Sequence, residues 1–231
     1  MTTLVYAATP TRFPDRRTAG RRLAERLDGF GDADPVVLGL APDGMPLAAE
    51  IARALSAPLD TVAVARLRTE NDADRFGTAA EGGIALFDPG HRERIEAHPE
   101  TVDCALLATQ RRLEQRSAAW HHRRRPRSLH GRTVLLVADV LGDEQIAAAA
   151  ACAARDRGAA HVVYVAPQVR LASALAVVDW VDEIVCLETV AQELTASDCY
   201  ADSRPVSDTT VRALLLENEH ERHQWPRSDA R

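Results

Sequence analysis

Lysine is absent from this sequence, so all 28 residues counted as lysine or arginine are arginine. This absence excludes a Schiff-base lysine and a lysine ligand for phosphate. Positive charge is also in the minority, since 34 aspartates and glutamates give a formal net charge of −6. Lysine chemistry is therefore excluded, and binding of nucleic acid through overall charge is disfavoured.

Cysteines and long apolar runs are also scarce. The four cysteines are widely spaced and form no CxxC pair, which is typical of free thiols in a cytoplasmic protein. No stretch resembles a transmembrane span, and residues 1–10 lack the basic and apolar regions of a signal peptide. We therefore predict a cytoplasmic protein that engages no membrane. The cysteines are Cys104, Cys152, Cys186 and Cys199.

Strand-like and helix-like segments alternate along the chain, a pattern that predicts an α/β fold with a mostly parallel central sheet flanked by helices. The length fits a single domain, 1–231, with a small hood or insert at about 66–130. The polar tail, 218–231, is expected to fray or to pack against a partner. Strands are predicted at 36–40, 59–67, 134–137, 160–166 and 183–187, helices at 13–27, 45–55, 92–119, 144–157, 171–177 and 208–217, and a hairpin at 78–87.

A strand, an acidic loop and a helix start follow one another between residues 131 and 146. Four apolar residues, 134–137, precede Asp139, and Gly142 and Asp143 come directly before the helix. This is the layout of a phosphate-binding turn at the carboxyl edge of a parallel sheet. Asp143 can also cap the helix itself, so an ordinary strand-to-helix turn is an equal alternative.

The same stretch resembles the motif that binds phosphoribosyl pyrophosphate (PRPP) in type I phosphoribosyltransferases. In that family two acidic residues hold the ribose hydroxyls, and a Thr-Gly-x-Thr loop wraps the 5′-phosphate. Here Ala138 and Asp139 stand at the acidic positions, and the loop reads Asp143-Glu144-Gln145-Ile146. The alanine side chain accepts no hydrogen bond, and the two loop carboxylates repel a phosphate. The resemblance therefore implies an altered PRPP site, with Mg²⁺ as cofactor only if PRPP binds.

The resemblance covers about residues 13 to 216. Four segments carry it in the family's order: an opening helix (FPDRRTAGRRLAERL), a strand with the pyrophosphate loop and helix (VVLGLAPDGMPLAAEIARAL), a hairpin (GTAAEGGIALF) and a C-terminal segment that closes over the site (YADSRPVSDTTVRALL). Several partial matches in order identify the chain as a member of the family, in an unassigned bacterial subgroup. The implied fold is the α/β fold predicted above.

The pyrophosphate loop is also altered. The subgroup carries Pro-Arg-Gly-Gly where this chain has Ala41-Pro42-Asp43-Gly44, so Gly44 is retained while Asp43 brings negative charge toward a negative ligand. Pro42 has no N–H to offer a diphosphate. A plain Pro-Asp-Gly β-turn is the favoured interpretation of these residues by turn chemistry alone.

Arg66 stands at a strand end where the family places a basic residue that faces the pyrophosphate. Ligand binding and a solvated surface charge are equally good explanations for this arginine. Asp139 could hold a ribose hydroxyl or serve as a turn residue. The resemblance implies no covalent protein nucleophile, and no catalytic residue is assigned. The predicted ligand-binding residues are Asp139, Gly142, Asp143, Arg66, Asp43 and Gly44.

A basic segment spans residues 111–127 of this acidic chain. It could form a lid that delivers guanidinium groups to a phosphorylated ligand, or it could contact RNA. Only Trp120 accompanies the charges, so the stacking surface expected for single-stranded RNA is thin. A solvated helix face with an exposed linker is the favoured alternative. The basic residues are Arg111, Arg112, Arg116, His121, His122, Arg123, Arg124, Arg125 and Arg127.

Three functions are consistent with these residues. The first is a phosphoribosyltransferase-like protein with weak or lost catalysis, retained for sensing PRPP or another phosphorylated molecule or for binding a partner. The second is an active transferase that moves the phosphoribosyl group of PRPP to a nitrogen acceptor, with Mg²⁺ bridging Asp139, Asp143 and Glu144 to the ligand. The third is a non-enzymatic RNA-binding or assembly module. We expect a homodimer, and we predict no resident metal site, since His220 and His223 lack a third ligand nearby.

Overall fold

A seven-stranded sheet in the order β4-β3-β2-β1-β5-β6-β7 organises the described part of the chain. A computed structural model describes residues 11–68, 75–88, 90, 99–122, 124–193 and 195–224. The strands are β1 (Val36–Ala41), β2 (Leu59–Arg68), β3 (Arg75–Ala80), β4 (Ile84–Phe87), β5 (Thr133–Val137), β6 (His161–Arg170) and β7 (Glu183–Val190). The helices are α1 (Arg16–Ala24), a 3-10 helix (Asp28–Ala33), α2 (Met45–Ala54), α3 (Pro99–His121), α4 (Glu144–Asp156), α5 (Leu171–Val177), α6 (Ala196–Cys199) and α7 (Asp208–Gln224).

Five strands of the sheet, β2, β1, β5, β6 and β7, are parallel, which confirms the predicted α/β class. Gly39 of β1 lies beside Val137 of β5, so these two strands end side by side. The loops that follow β1 and β5 therefore meet at one edge of the sheet, which is where α/β proteins bind ligands. The antiparallel strands β3 and β4 extend the sheet beyond β2 as the hairpin expected from Gly82 and Gly83.

The core lies in two layers because both faces of the parallel sheet are covered by helices. Helices α1, α2, α3 and α7 pack on one face, and α4 and α5 pack on the other. The alanines of α4 are buried from Ala147 to Ala151, and their small side chains allow the helix to approach the sheet closely. Burial on both faces explains why the central strands read as continuous apolar runs.

The C-terminal helix α7 runs further than predicted, through Asn218 to Gln224, so residues 218–224 continue the helix and are not a frayed tail. Asn218 is buried; its side chain accepts a hydrogen bond from the backbone N–H of Leu59 (2.9 Å) and donates one to the carbonyl of Ala57 (3.2 Å). This polar contact fixes the end of α7 against the start of β2. Residues 225–231 and the predicted helical residues 92–98 lie outside the described residues.

The opposite edge of the sheet holds a buried ionic cluster around Asp60. Its carboxylate contacts Nε2 of His121 (2.6 Å), Nη2 of Arg157 (2.6 Å) and the backbone N–H of Arg127 (2.8 Å). Burial of a carboxylate is tolerated where several donors surround it. The cluster joins β2, α3, the end of α4 and the segment that leads to β5. No helix in the described residues combines the length and apolar composition needed to cross a bilayer.

Candidate functional site

Three chain segments meet at the carboxyl edge of the sheet: the β1–α2 loop with Asp43, the end of β2 with Arg66, and the β5–α4 loop with Asp139 and Asp143. The six predicted ligand-binding residues all lie on these segments. In the structure the three aspartates among them pair with two arginines. Asp139 and Asp43 contact the guanidinium of Arg16, and Asp143 contacts that of Arg66.

Arg16 is the charged residue at the centre of the first group. It is the first residue of α1, and it is only 6% exposed. Its Nη2 lies 3.1 Å from Oδ2 of Asp139 and 3.5 Å from Oδ1 of Asp43, and its Nη1 donates to the carbonyl of Arg204 at 3.0 Å. One buried cation therefore bridges the two loops on which a charged ligand would rest.

Asp139 and Ala138 face opposite sides of the sheet because side chains alternate at a strand end. Ala138 is fully buried in the apolar layer beside α4, where its N–H donates to the carbonyl of Val165 (2.9 Å). The Asp139 side chain lies on the α1 side, against Arg16. Position 138 therefore offers no polar side chain to the edge of the sheet.

Burial raises the pKa of Asp139 above the usual aspartate value, although the charge of Arg16 offsets part of this effect and the neighbouring Asp43 adds to it. The carboxylate is thus held in a poorly solvated position in which its main compensating charge is a single guanidinium. An incoming ligand that binds Asp139 has to displace Arg16 or share it.

The C-terminal segment closes over the same residues, as the resemblance implies. The phenol of Tyr200 donates to the carbonyl of Asp139 (2.6 Å), and the backbone N–H of Val206 donates to Oδ1 of Asp43 (3.0 Å). The guanidinium of Arg16 also lies 5.1 Å from the centre of the Tyr200 ring, within the range of a cation–π contact. The segment thus holds Arg16 in place beside both aspartates.

The β5–α4 loop satisfies its own N–H donors. Asp143 is the N-cap of α4, and its Oδ1 accepts hydrogen bonds from the backbone N–H groups of Gln145 (3.1 Å) and Ile146 (3.4 Å). These are the donors that a phosphate at the helix N-terminus would use. The structure therefore contains the helix cap by Asp143 that the sequence offered as an alternative to phosphate binding.

Arg66 projects from the end of β2 onto the same loop. It forms an ion pair with Asp143, and its Nη1 donates to Thr78 (3.2 Å) and to the side-chain oxygen of Gln145 (3.2 Å). The arginine is therefore neither a free surface charge nor directed at open space. Its charge is paired with Asp143 of the β5–α4 loop.

Gly44 allows close backbone packing, and Gly142 contributes a backbone carbonyl. A Cβ at position 44 would lie 2.5 Å from the carbonyl oxygen of Val137 and 2.8 Å from that of Leu40. The fold therefore requires glycine at position 44 because no side chain fits there, whether or not a ligand binds. The carbonyl of Gly142 accepts from the Ser173 hydroxyl (3.3 Å), which ties the loop to α5.

The three carboxylates considered for Mg²⁺ face different partners. Asp139 contacts Arg16, Asp143 contacts Arg66, and Glu144 lies near Ser173 (3.4 Å) and Arg170 (3.9 Å). Within the described residues there is no group of three or more His, Cys, Asp or Glu side chains placed to hold a metal ion. As arranged here, these carboxylates do not fit a shared cation, and the Mg²⁺ expectation stays a prediction tied to PRPP.

The basic segment contacts the acidic residues of α7. Arg116 and the indole N–H of Trp120 bind Asp208 (both 2.9 Å), while Arg124 and Arg127 bind Glu219 (2.7 and 3.3 Å). Because these three arginines have acidic partners in the same chain, fewer charges are directed outward than the sequence suggests. RNA contact stays a prediction.

The sequence predicts that the segment containing Tyr200 and Val206 closes over the site, but it singles out neither of these residues nor Arg16 as a site residue. Arg16 belongs to FPDRR, within the segment that resembles the family's opening helix, so a signal was present in the sequence. The contribution of Val206 is a backbone N–H, which no side-chain pattern reveals. The pairing of Arg16 with Asp139 joins residues 123 positions apart.

The sheet and its converging loops define an α/β protein whose candidate site lies at the carboxyl edge. No family model matches the chain. Two proteins of Mycobacterium tuberculosis, from strains CDC 1551 and H37Rv, carry the provisional name phosphoribosyl transferase and are 31% identical over 204 residues, which is 88% of this chain. The alignment covers 46% of each, so the chain spans about half the length of the curated relatives it matches.

A solved structure from Thermus thermophilus is also similar. It is 31% identical, covers 90% of this chain and 99% of its own, and superimposes with a TM-score of 0.74. These relatives support the resemblance to phosphoribosyltransferases that the motifs predict.

Proposed function

We propose that this chain is a phosphoribosyltransferase-like protein in which transfer from PRPP is weak or lost and which is retained to sense a phosphorylated ligand or to bind a partner. The observation that carries the proposal is that Asp143 caps the helix and forms an ion pair at the same time. Its carboxylate occupies the N–H donors of the phosphate loop and pairs with Arg66, a cation that reaches that loop from β2.

The pyrophosphate side supports the same conclusion. Pro42 stands where the resemblance places an arginine, and the next residue, Asp43, shares Arg16 with Asp139. A diphosphate would meet a carboxylate at this loop, and like charges at about 4 Å repel by roughly 1 kcal/mol in water and about 4 kcal/mol at an effective dielectric of 20. Since about 1.4 kcal/mol is a tenfold change in affinity, the effect on PRPP is large.

Calorimetric titration with PRPP, with and without Mg²⁺, tests the proposal. We expect no binding heat below about millimolar PRPP for the unchanged chain. The variant Asp143→Thr/Glu144→Gly removes two carboxylates and leaves only a neutral hydroxyl at the loop donors, and we expect it to bind PRPP at least tenfold more tightly. Asp179→Thr, an exposed acidic residue away from the edge, is the matched control and should leave the titration unchanged.

The active transferase gives the opposite result. Micromolar, Mg²⁺-dependent binding of PRPP by the unchanged chain, abolished by Asp139→Asn, would overturn the proposal and direct attention to nitrogen acceptors. In that case the protein would act by positioning and by stabilising charge on the departing diphosphate. Equal PRPP binding by the unchanged chain and the loop variant would contradict the role assigned to Asp143.

A further inference from the structure

The outer face of α5 is exposed and carries no charged side chain. Leu171 and Leu175 of this helix, and Val178 directly after it, follow the i, i+4 and i+7 spacing that places residues on one side of a helix. They are 38%, 63% and 54% exposed, and Ala172 and Ala176 beside them are exposed as well. Helices on the surface of a globular protein normally turn charged residues outward, so this face is the reverse of the usual pattern. Contiguous exposed apolar surface marks a site of interaction with another molecule.

A groove of about 650 Å³ continues this face past the end of α5. Val178 and the exposed Trp180 line it together with Ile84 of β4 and Cys152 of α4. Because Val178 belongs to both the helix face and the groove, they form one surface, which we call the α5 surface. It lies at the amino ends of the strands, since residues 178–182 lead into β7, and it is therefore separate from the edge that holds Asp139.

Negative charge predominates around the α5 surface. Asp156 and Asp179 line the groove, and neither forms an ion pair with any residue that the structure describes. Five carboxylates and two guanidinium groups surround the surface, which leaves a surplus of three negative charges, and a protonated His161 would reduce it only to two. The carboxylates are those of Glu144, Asp156, Asp179, Asp182 and Glu193, and the guanidinium groups are those of Arg155 and Arg170.

We propose that the α5 surface binds a basic amphipathic helix of a partner protein. The apolar side of that helix packs on Leu175, Val178 and Trp180, and its arginine or lysine residues lie near Asp156 and Asp179. Amphipathic helices bind apolar grooves in this way, through residues at i, i+3, i+4 and i+7 spacing. The alanines at positions 172 and 176 allow close approach, because the distance between packed helices depends on the side chains at the contact.

The surplus charge distinguishes this partner from other occupants. A second copy that docked through the same face would bring one acidic surface against another, which is unfavourable. Nucleic acid and an anionic bilayer are repelled for the same reason. The proposal rests on the partner-binding role proposed above, and it gives that role a surface and a kind of partner.

Fluorescence titration of the full chain with a designed peptide tests the proposal. The probe is a tryptophan-free peptide of about 15 residues, long enough to form a helix, with leucines on one side and arginines on the other. Trp180 is 40% exposed while Trp120 is buried, so we expect the emission of Trp180 to shift to shorter wavelength as the peptide covers it. The shift should saturate and should weaken with added salt. The same peptide with glutamate in place of arginine should produce no shift.

Two variants with matched controls locate the binding. Asp156→Asn/Asp179→Asn should weaken it about fivefold, and Asp28→Asn/Asp32→Asn, two exposed aspartates of the 3-10 helix, should leave it unchanged. Leu175→Gln should weaken it about tenfold, because a leucine side chain no longer becomes buried. Leu107→Gln, on a side chain of α3 that is 55% exposed, is its control. Thermal melts check that each variant remains folded.

Three results would overturn the proposal. The first is no saturable binding of the arginine peptide up to about millimolar concentration. The second is equal binding of the glutamate peptide, or an equal effect of the control variants. The third is self-association in sedimentation that Leu175→Gln abolishes, which would assign the surface to a second copy of this chain. None of these measurements contains PRPP, so failure of the α5 surface and failure of the proposed function are distinguishable.

Discussion

Arg16 has two roles at the scale of single residues. It pairs with the carboxylates of Asp139 and Asp43, and it donates a hydrogen bond to the carbonyl of Arg204 in the C-terminal segment. A buried cation with two carboxylates is held by its partners, because any of the three left alone would carry an uncompensated charge. This makes the residue a sensitive point for mutation.

Arg16→Met should destabilise the protein by about 3–5 kcal/mol, since it leaves Asp139 without its compensating charge. Burial already raises the pKa of Asp139, and loss of Arg16 raises it further. A carboxyl with a raised pKa retains its stabilising contribution at low pH and loses it as pH rises through the folded pKa. The loss measured by urea denaturation should therefore be greater at about pH 8 than at about pH 5.

Arg16→Met/Asp139→Asn is the matching control, and it should recover stability at the higher pH. A loss of equal size at both pH values would show that Arg16 acts through packing and not through its charge.

At the scale of elements, the N-terminus of α4 decides which groups satisfy the N–H donors of the β5–α4 loop. Helices need acceptors for their first N–H groups, and a residue such as aspartate at the N-cap supplies one. In this chain the cap of α4 is also the residue that would meet a phosphate. Stability of the helix and affinity for an anion therefore compete for the same two donors.

Asp143→Ala should destabilise the fold by about 1 kcal/mol, because Gln145 and Ile146 lose their acceptor. Asp143→Thr keeps an oxygen at the cap and should destabilise it less. Guanidinium denaturation of both variants measures the difference. If alanine and threonine have the same effect, the ion pair with Arg66 and not the cap would account for the contribution of Asp143.

At the scale of the whole molecule, the Asp60 cluster links elements that are distant in sequence. His121, at the end of α3, contacts Asp60 of β2. Arg157, which follows α4, contacts Asp60 as well and donates a hydrogen bond to Glu81 at 3.4 Å. Burial disfavours the charged form of His121, but the hydrogen bond and the charge of Asp60 outweigh it, so the pKa of His121 lies above its usual 6.5.

This pKa makes the stability of the molecule depend on pH. The contribution of His121 is complete below pH 6.5 and declines as pH rises through its folded pKa. Burial disfavours ionised Asp60, yet its partners lower its pKa below 3.8, so its contribution is lost only in acid below that value. Burial also raises the pKa of Glu81 above 4.5, so its contribution declines as pH rises through that raised pKa.

Comparison with His121→Gln isolates the histidine. Unfolding free energies at about pH 6 and about pH 9 should differ more in the unchanged chain than in the variant, since glutamine cannot titrate. The same pH dependence in both proteins would mean that Glu81 or another group controls it.

Much of the fold could be predicted because its signals are local. The apolar run at 134–137, the Gly82-Gly83 turn and the capping aspartate Asp143 each act within a few residues. The predicted extent of α7 was wrong because the side chain that fixes it, Asn218, finds its partners in β2 and the residues before it, far away in the sequence.

The sequence by itself determined the α/β class, the resemblance to phosphoribosyltransferases and the position of the loops that follow β1 and β5, since alternating apolar segments and helix caps are set by neighbouring residues. Only the tertiary structure decided what the charged residues do. Asp139 meets Arg16 across 123 positions, and Arg66 meets Asp143 because β2 and β5 end at the same edge. Electrostatic partners are chosen by distance in space, which depends on how the whole sheet is assembled.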